Sequence, residues 1–112
     1  MQNCIFCQIA SKEKSAQIEY EDKDIVVFHD INPKAKVHLL IIPKKHLAYL
    51  DEVKDTDTEL LGKMILAANK IAKRFKLNNG YRLVINNRAH AGQIVDHLHL
   101  HLLGGDQLGP MA

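Results

Sequence analysis

The sequence predicts an α+β fold, a mainly antiparallel sheet with one long helix packed on it, and three patterns carry this prediction. Two short apolar runs precede a long segment of helical periodicity, and two further strand-like runs follow it. This order of strands, helix and strands is typical of domains in which a helix covers one face of a sheet. A chain of 112 residues has about the length of one domain, so we expect a single domain over residues 1–112.

The first part of the chain carries two predicted strands. Residues 4–10 are compatible with a short helix. Continuous apolar runs at residues 25–28 and 37–42 predict strands, and Pro43 stops the second. Residues 30–33 combine short polar side chains with a proline of fixed φ, which is typical of a turn.

The long helix is predicted over residues 56–75. Thr56 and Glu59 have capping-box spacing at its start, and the Asn-Asn-Gly sequence at residues 78–80 ends it. Its apolar residues recur at three- and four-residue steps and form one stripe that we expect to pack on the sheet: Leu60, Leu61, Met64, Ile65, Ala68, Ile71, Ala72 and Phe75.

The last third of the chain predicts the second pair of strands. One strand is expected at residues 81–85 and the other at residues 96–103, with a loop at residues 86–93 between them. A glycine pair at residues 104–105 ends the last strand, and the tail is expected to be irregular.

Composition excludes several classes of protein. The chain is 46% hydrophobic and 25% charged, which is typical of a globular domain. A net charge of +2 is too small to favour nucleic-acid or membrane binding, and no apolar run approaches the length of a membrane span. The N-terminus lacks a basic start and an apolar stretch, so we expect a cytoplasmic protein. In a reducing compartment, Cys4 and Cys7 favour a metal or redox site over a structural disulfide.

The most informative segment is His-Leu-His-Leu-His-Leu-Leu at residues 97–103. Side chains alternate between the faces of a strand, so His97, His99 and His101 share one face, and leucines on the other face can pack on the helix. Three adjacent imidazoles repel one another when charged, so at least one should be neutral near pH 7. A neutral imidazole can act as a nucleophile, as a general acid or base, or as a zinc ligand. A solvated polar sheet face is the plain alternative.

The loop before this segment is compatible with a phosphate site. Residues 86–93 contain side-chain amides, and Gly92 allows the backbone to approach a ligand closely. Amide and backbone N–H donors suit phosphate oxygens. An ordinary turn is an equal alternative for this loop taken alone.

Together these residues resemble the histidine-triad (HIT) superfamily of nucleotide-binding proteins, whose motif is His-φ-His-φ-His-φ-φ with φ apolar. The similarity covers nearly the whole chain, and the tail resembles the bacterial Hint branch. Besides the triad, it is carried by Ile5, Phe6, Ile9, residues 28–33, His38, residues 42–46, residues 80–82, Asn86, Gly92, Gln93, residues 103–105 and residues 108–111.

The resemblance implies a nucleoside phosphoramidase. His99 would attack the α-phosphorus of adenosine 5′-phosphoramidate or an aminoacyl adenylate, form a covalent nucleotidyl-histidine and release AMP. A backbone carbonyl would fix its tautomer. His38 and His101 would flank it, and His97 would complete the catalytic set. A neighbouring histidine could protonate the leaving amine.

The resemblance also implies a purine-nucleotide site and a homodimer with a sheet continuous across the interface. Asp30 would accept hydrogen bonds from ribose hydroxyls, Ile31 would pack on the base, and Phe28 would be either a pocket wall or a core residue. The implied nucleotide-binding set is Phe28, Asp30, Ile31, Asn86, Gly92, Gln93, Ile94, His99 and His101.

A structural zinc is implied by the same resemblance, although catalysis would require no cofactor. Many bacterial relatives bind zinc through residues that correspond to Cys4, Cys7, His46 and His97. Two thiolates and two imidazoles suit a closed tetrahedral site. The alternative is a pair of ordinary free cysteines.

Two residues depart from the family pattern. Some Hint proteins carry a serine after the glutamine, where its hydroxyl can assist the leaving group, but this chain has Ile94, of which only the backbone N–H could serve. The residue before the triad is often aromatic, and here it is Asp96. These departures leave the leaving-group preference and the rate open.

Other functions are compatible with the same residues. A dinucleoside polyphosphate hydrolase of the superfamily is disfavoured by the Hint-like tail, and a nucleotidyltransferase is disfavoured by the short chain. A nucleotide-binding scaffold with residual activity would share the pocket. In a purely metal-binding module, His99 and His101 would both be ligands. The physiological substrate and the base preference are not encoded in these patterns.

Overall fold

The computed structural model describes residues 3–112 and confirms the α+β prediction. Within these residues five strands form one antiparallel sheet in the order β1-β2-β3-β5-β4. The strands are β1 (Ile18–Glu21), β2 (Ile25–His29), β3 (Val37–Pro43), β4 (Tyr81–Val84) and β5 (Leu100–Gly104), and the α-helices are α1 (Ile5–Ala10) and α2 (Thr58–Arg74).

β1 is a strand that the sequence analysis does not predict. It lies at the edge of the sheet and pairs only with β2, and its register shifts between Ile18 and Tyr20. Tyr20 and Glu21 are exposed, so the segment lacks the apolar run that marks β2 and β3. Short, charged edge strands carry a weak sequence signal because they bury little.

The main core lies between α2 and one face of the sheet. Leu98, Leu100 and Leu102 are buried there against α2, together with Met64 and Ile71. This confirms that the leucines of the triad segment face the long helix. Each such side chain contributes roughly 1.5–3 kcal/mol through removal from water.

A second apolar cluster covers the opposite face of the sheet, on which the histidines lie. α1 contributes Phe6 and Ile9, which pack on Val26, Phe28 and Leu40. Phe28 is buried and its ring meets that of Phe6 edge-on, at 5.5 Å between centroids. Phe28 is therefore part of this apolar cluster, and its expected role as a pocket wall stays a prediction.

Two predicted boundaries were wrong. The α-helix begins at Thr58 rather than Thr56, because a 3₁₀ turn at Asp55–Asp57 precedes it and Asp57 accepts the backbone N–H of Lys54 at 3.0 Å. The predicted strand at residues 96–103 pairs only from Leu100, because the preceding chain leaves the sheet and the Leu98 N–H donates to the carbonyl of Leu47 instead of to β3.

No helix in the part of the chain described, residues 3–112, is both long enough and apolar enough to cross a lipid bilayer.

Candidate active site and metal centre

The histidine segment enters the sheet from an irregular stretch. The Leu98 N–H donates to the carbonyl of Leu47 at 2.6 Å and fixes this stretch before β5 begins. His97 and His99 are buried beneath α1, where the Phe6 ring lies edge-on to both imidazoles, with centroids 5.9 and 5.1 Å away. The alternation of histidines and leucines therefore persists beyond the paired strand.

His99 is held in one tautomer by the main chain. Its Nδ1–H donates to the carbonyl oxygen of His97 at 2.7 Å, which leaves the lone pair on Nε2. Burial lowers the pKa of the His99 imidazole below its usual value, although the His97 carbonyl and the charge of Asp30 act in the opposite direction. The ring is therefore neutral near pH 7, with one nitrogen able to attack an electrophile.

His38 and His101 are linked to each other by a hydrogen bond between their rings. The backbone N–H of Lys34 donates to His38 Nδ1 at 2.9 Å, so the proton of the neutral His38 ring lies on Nε2. That nitrogen is 2.9 Å from His101 Nδ1 and donates to it. The proton of His101 consequently lies on its own Nε2, where it can be donated to a ligand.

The charge state of this pair follows from its surroundings. Burial, assisted by the neighbouring His99 and His38, lowers the pKa of His101 to about 4. Burial also lowers the pKa of His38, although the Asp30 carboxylate, whose Oδ2 is 3.4 Å from His38 Nε2, opposes this effect. The centroids of the His99 and His101 rings are 4.9 Å apart, so both side chains could contact one group of a bound ligand.

The two residues expected to hold a nucleoside lie beside this pair. Asp30 accepts the backbone N–H of Asn32 through Oδ1 at 2.8 Å, which fixes the carboxylate at the end of β2. Ile31 follows it and is 87% exposed. An isoleucine so exposed beside buried histidines has an apolar surface available for a ligand.

The loop at residues 86–93 is closed by Gln93. Its Nε2 donates to the carbonyls of Ala48 and Val95 at 2.9 and 3.0 Å, and its Oε1 accepts the Arg88 N–H at 2.7 Å. Both amide hydrogens of Gln93 are thus donated to carbonyls of the protein itself. In this arrangement the Gln93 side chain holds the loop closed. Its direct contact with phosphate stays a prediction.

The remaining predicted residues of the loop are positioned as follows. Gly92 adopts a left-handed conformation with φ of 84°, and Ile94 is 92% exposed. Continuing the β4–β5 register beyond the pair Val84 and His101 puts Asn86 opposite His99, on the histidine face of the sheet.

The four residues expected to bind zinc converge at the N-terminal end of α1. His97 Nδ1 lies 3.3 Å from Cys4 Sγ, 3.5 Å from Cys7 Sγ and 3.2 Å from His46 Nδ1. Cys7 Sγ lies 3.2 Å from His46 Nδ1. Ligand atoms around tetrahedral zinc are roughly 3.3–3.8 Å apart, given bond lengths near 2.1 Å to nitrogen and 2.3 Å to sulfur. These four residues could therefore form a metal site.

The protonation chemistry of the cluster fits a cation. His97 Nε2–H donates to the Pro43 carbonyl at 2.8 Å, so its Nδ1 lone pair faces the thiols, the arrangement typical of a metal-binding histidine. Burial and the neighbouring Cys4 raise the pKa of the Cys7 thiol to about 11. A bound cation would supply the positive charge that a thiolate needs there.

Two contributors to the site were missed in the sequence. Phe6 contacts the imidazole of His99, although its sequence signal, an aromatic residue between two cysteines, indicates only packing. The Lys34 amide sets the His38 tautomer, and no side-chain pattern reveals a backbone donor.

Comparisons with known proteins agree with this geometry. A family model of the HIT domain matches residues 11–108. Protein HitA of Neisseria gonorrhoeae is 49% identical over 104 residues, which cover 93% of this chain and 97% of HitA. The crystal structure of a HIT family hydrolase from Legionella pneumophila is 51% identical, with a TM-score of 0.94 and 96% of each chain covered. A HIT family hydrolase from Clostridium thermocellum is 45% identical, with a TM-score of 0.95. The match covers 98% of this chain and 96% of that hydrolase.

Proposed function

This chain belongs to the HIT domain family, and from that premise we propose that it is a hydrolase that cleaves nucleoside phosphoramidates through a covalent nucleotidyl-histidine. The hydrolases of L. pneumophila and C. thermocellum support the hydrolytic reaction class. The substrates are adenosine 5′-phosphoramidate and related purine nucleotides, and the product is AMP.

The observation that carries the proposal is the hydrogen bond from His99 Nδ1–H to the His97 carbonyl. Attack on phosphorus needs a lone pair on one ring nitrogen, and this bond puts the lone pair on Nε2. When Nε2 bonds to phosphorus the ring becomes cationic, and the same carbonyl stabilises the remaining N–H. The bond thus serves both the free and the nucleotidylated histidine.

The leaving amine requires one proton. His101 directs its Nε2–H towards the site, and the His38 Nε2–H behind it holds the His101 ring in that orientation through the 2.9 Å bond between the two rings. Both rings are neutral before substrate binds. The anionic phosphate raises the affinity of the site for a proton, so one proton is taken up from solvent with the substrate, and His101 delivers it to the amine. Water then attacks phosphorus, gives up its proton to the site, releases AMP and restores His99.

The substrate is bound, before the reaction begins, by the residues that the resemblance implies. His101 Nε2–H and the Asn86 amide donate to phosphate oxygens, Asp30 accepts from the ribose hydroxyls, and the exposed Ile31 packs on the purine. Asp30 also lies beside His38, so substrate binding and the proton pathway share one carboxylate.

Cys4, Cys7, His46 and His97 would hold a structural zinc ion, which would supply a fixed positive charge and a crosslink between α1 and the end of β3. No step of the reaction depends on it. Two free thiols suit a reducing compartment, which supports a cytoplasmic location.

A homodimer is part of the proposal. The edge strand β4 exposes Tyr81, and the face of α2 that lies beside it exposes Ile65. Pairing of β4 with a second copy would cover this edge and continue the sheet. Sedimentation equilibrium of the wild type and of Ile65→Lys tests it, because the charged variant is expected to be monomeric.

The decisive experiment measures AMP release from adenosine 5′-phosphoramidate by the wild type and by His99→Ala, together with AMP binding by calorimetry. We expect turnover by the wild type only and AMP binding by both proteins. Faster cleavage of a diadenosine polyphosphate would favour the polyphosphate-hydrolase reaction. Binding without turnover in either protein would favour a nucleotide-binding scaffold and would implicate Ile94 and Asp96.

A further inference from the structure

Arg88 has an unusual backbone conformation beside the proposed phosphate site. Its φ is 67° and its ψ is −174°, a region populated almost only by glycine. Within residues 3–112 two other non-glycine residues have positive φ, and each follows the end of a helix: Lys12 after α1 and Lys76 after α2. Left-handed residues are common there. Arg88 ends no helix, so its strain needs another explanation.

The side chain of Arg88 is held by one neighbouring segment, at residues 49–52. Its guanidinium carbon lies 4.0 Å from the centroid of the Tyr49 ring, and its Nε lies 3.0 Å from Asp51 Oδ1. Nη2 lies 3.7 Å from Glu52 Oε2. A stacked and ion-paired arginine fixes the position of its own main chain, because the planar group has few alternative placements.

The main chain of Arg88 in turn closes the loop at residues 86–93. Its N–H donates to Gln93 Oε1 at 2.7 Å, and its carbonyl accepts the N–H groups of Ala91 and Gln93 at 3.2 and 3.1 Å. The N–H and the C=O of Arg88 belong to the two successive peptide planes on either side of its Cα, and the observed φ and ψ turn both groups towards the loop. The strain is therefore located where the loop turns back on itself.

The segment that holds Arg88 also holds the histidine segment. The carbonyl of Leu47 accepts the Leu98 N–H, and the Leu50 N–H donates to Asn87 Oδ1 at 3.0 Å. The stretch at residues 47–52 therefore connects the loop at residues 86–93 to the chain that carries His97 and His99.

We propose that Arg88 is a positioning residue for the phosphoryl-transfer reaction, and that its strained backbone, held by Tyr49 and Asp51, sets the loop at residues 86–93 relative to His99. The inference rests on the proposed function, because the loop is the phosphate-binding element of that reaction. Arg88 contacts no reacting atom and acts through the backbone and through Gln93.

The test compares three substitutions. Arg88→Ala removes the side-chain contacts and keeps the strain, whereas Arg88→Gly removes both, since glycine adopts this φ without cost. We expect Arg88→Ala to lower the melting temperature and to lower kcat on adenosine 5′-phosphoramidate about tenfold. Arg88→Gly should recover the melting temperature relative to Arg88→Ala but not kcat. Arg88→Lys should recover part of kcat.

The matched control is Lys76→Gly, which relieves a positive φ of 59° at the end of α2 and should leave kcat unchanged. Recovery of kcat together with the melting temperature in Arg88→Gly would show that activity only follows folding, and would overturn the proposal. Wild-type kcat in both Arg88→Ala and Arg88→Gly would also overturn it.

A second readout does not depend on turnover. Amide hydrogen exchange at residues 86–93 should be faster in Arg88→Gly than in the wild type, while exchange in α2 is unchanged. If the wild type hydrolyses no phosphoramidate, the proposed function fails. The exchange measurement then still decides whether Arg88 holds the loop, and equal exchange rates in the two proteins would overturn that role.

Discussion

The carbonyl of His97 accepts the Nδ1–H of His99 at 2.7 Å, while the ring of the same His97 turns its own Nδ1 towards Cys4 and Cys7. One residue thus contributes its backbone to the proposed nucleophile and its side chain to the candidate metal site. The two sites are adjacent, yet they use different atoms. Metal binding and catalysis can therefore be tested separately.

Replacing Cys7 with serine is expected to abolish stoichiometric zinc binding, because it removes one of four converging ligands. Atomic emission of the purified protein measures the metal content. A strong chelator should lower the melting temperature of the wild type by at least roughly 5 °C, since the metal binds only the folded chain. The chelator should not affect Cys7→Ser. Wild type isolated without metal from zinc-supplied cells would contradict the zinc proposal.

The variants His38→Gln and His101→Gln should each lower kcat/KM on adenosine 5′-phosphoramidate by about 100-fold, the usual effect of losing a general acid. The two rings act in series, so the double variant should lose little more than the more severe single variant. His29→Gln is the control, because His29 pairs with Glu19 of β1 at 2.7 Å and takes no part in the proposed proton donation by His101. Multiplying losses in the double variant would mean that the two histidines act independently.

Phe6 and Ile9 form a matched pair in α1, since each is 6% exposed in the same cluster. Truncation of either to alanine should cost about 2–5 kcal/mol in the free energy of unfolding, measured with urea. The Phe6 ring meets the His99 ring edge-on, so Phe6→Ala, unlike Ile9→Ala, should also lower kcat, by roughly tenfold, when both variants are assayed under conditions in which they are folded. Equal kcat values for the two variants would show that the ring contact does not position His99.

The folded protein should lose stability as the pH falls from about 6.5 towards 4. The pKa of His101 is lowered to about 4 and that of His38 is also lowered, so the unfolded chain binds more protons than the folded chain in this window. The free energy of unfolding should accordingly be greatest above pH 6.5. Urea titrations at pH 7 and pH 5, in the presence of a chelator, measure the difference. His101→Gln should reduce it, and an unchanged difference would contradict this assignment.

The sequence predicted the long helix, three of the strands nearly to the residue and the face of each triad residue, because these depend on periodic burial. β1 was missed because an edge strand with exposed Tyr20 and Glu21 lacks that periodicity. The start of β5 was placed too early, because the Leu98 N–H donates to the Leu47 carbonyl instead of to β3, and a single sequence does not reveal such a tertiary hydrogen bond.

The candidate site was predictable where side chains carry the chemistry. The histidines and the convergence of Cys4, Cys7, His46 and His97 follow from motif and resemblance. The donor that sets the His38 tautomer is a main-chain N–H, and the strain at Arg88 is a property of φ and ψ. Such features depend on tertiary structure and have no signature in a single sequence.

The six-residue helix α1 has a consequence for the dynamics of the protein. A helix of this length is not stable by itself, so its folding depends on the packing of Phe6 and Ile9 and on its contacts through Cys4 and Cys7. Segments held by few contacts open locally more often than the whole protein unfolds. Each opening of α1 would admit water to the buried His97 and His99, so the time for which the proposed nucleophile stays buried depends on the shortest α-helix within residues 3–112.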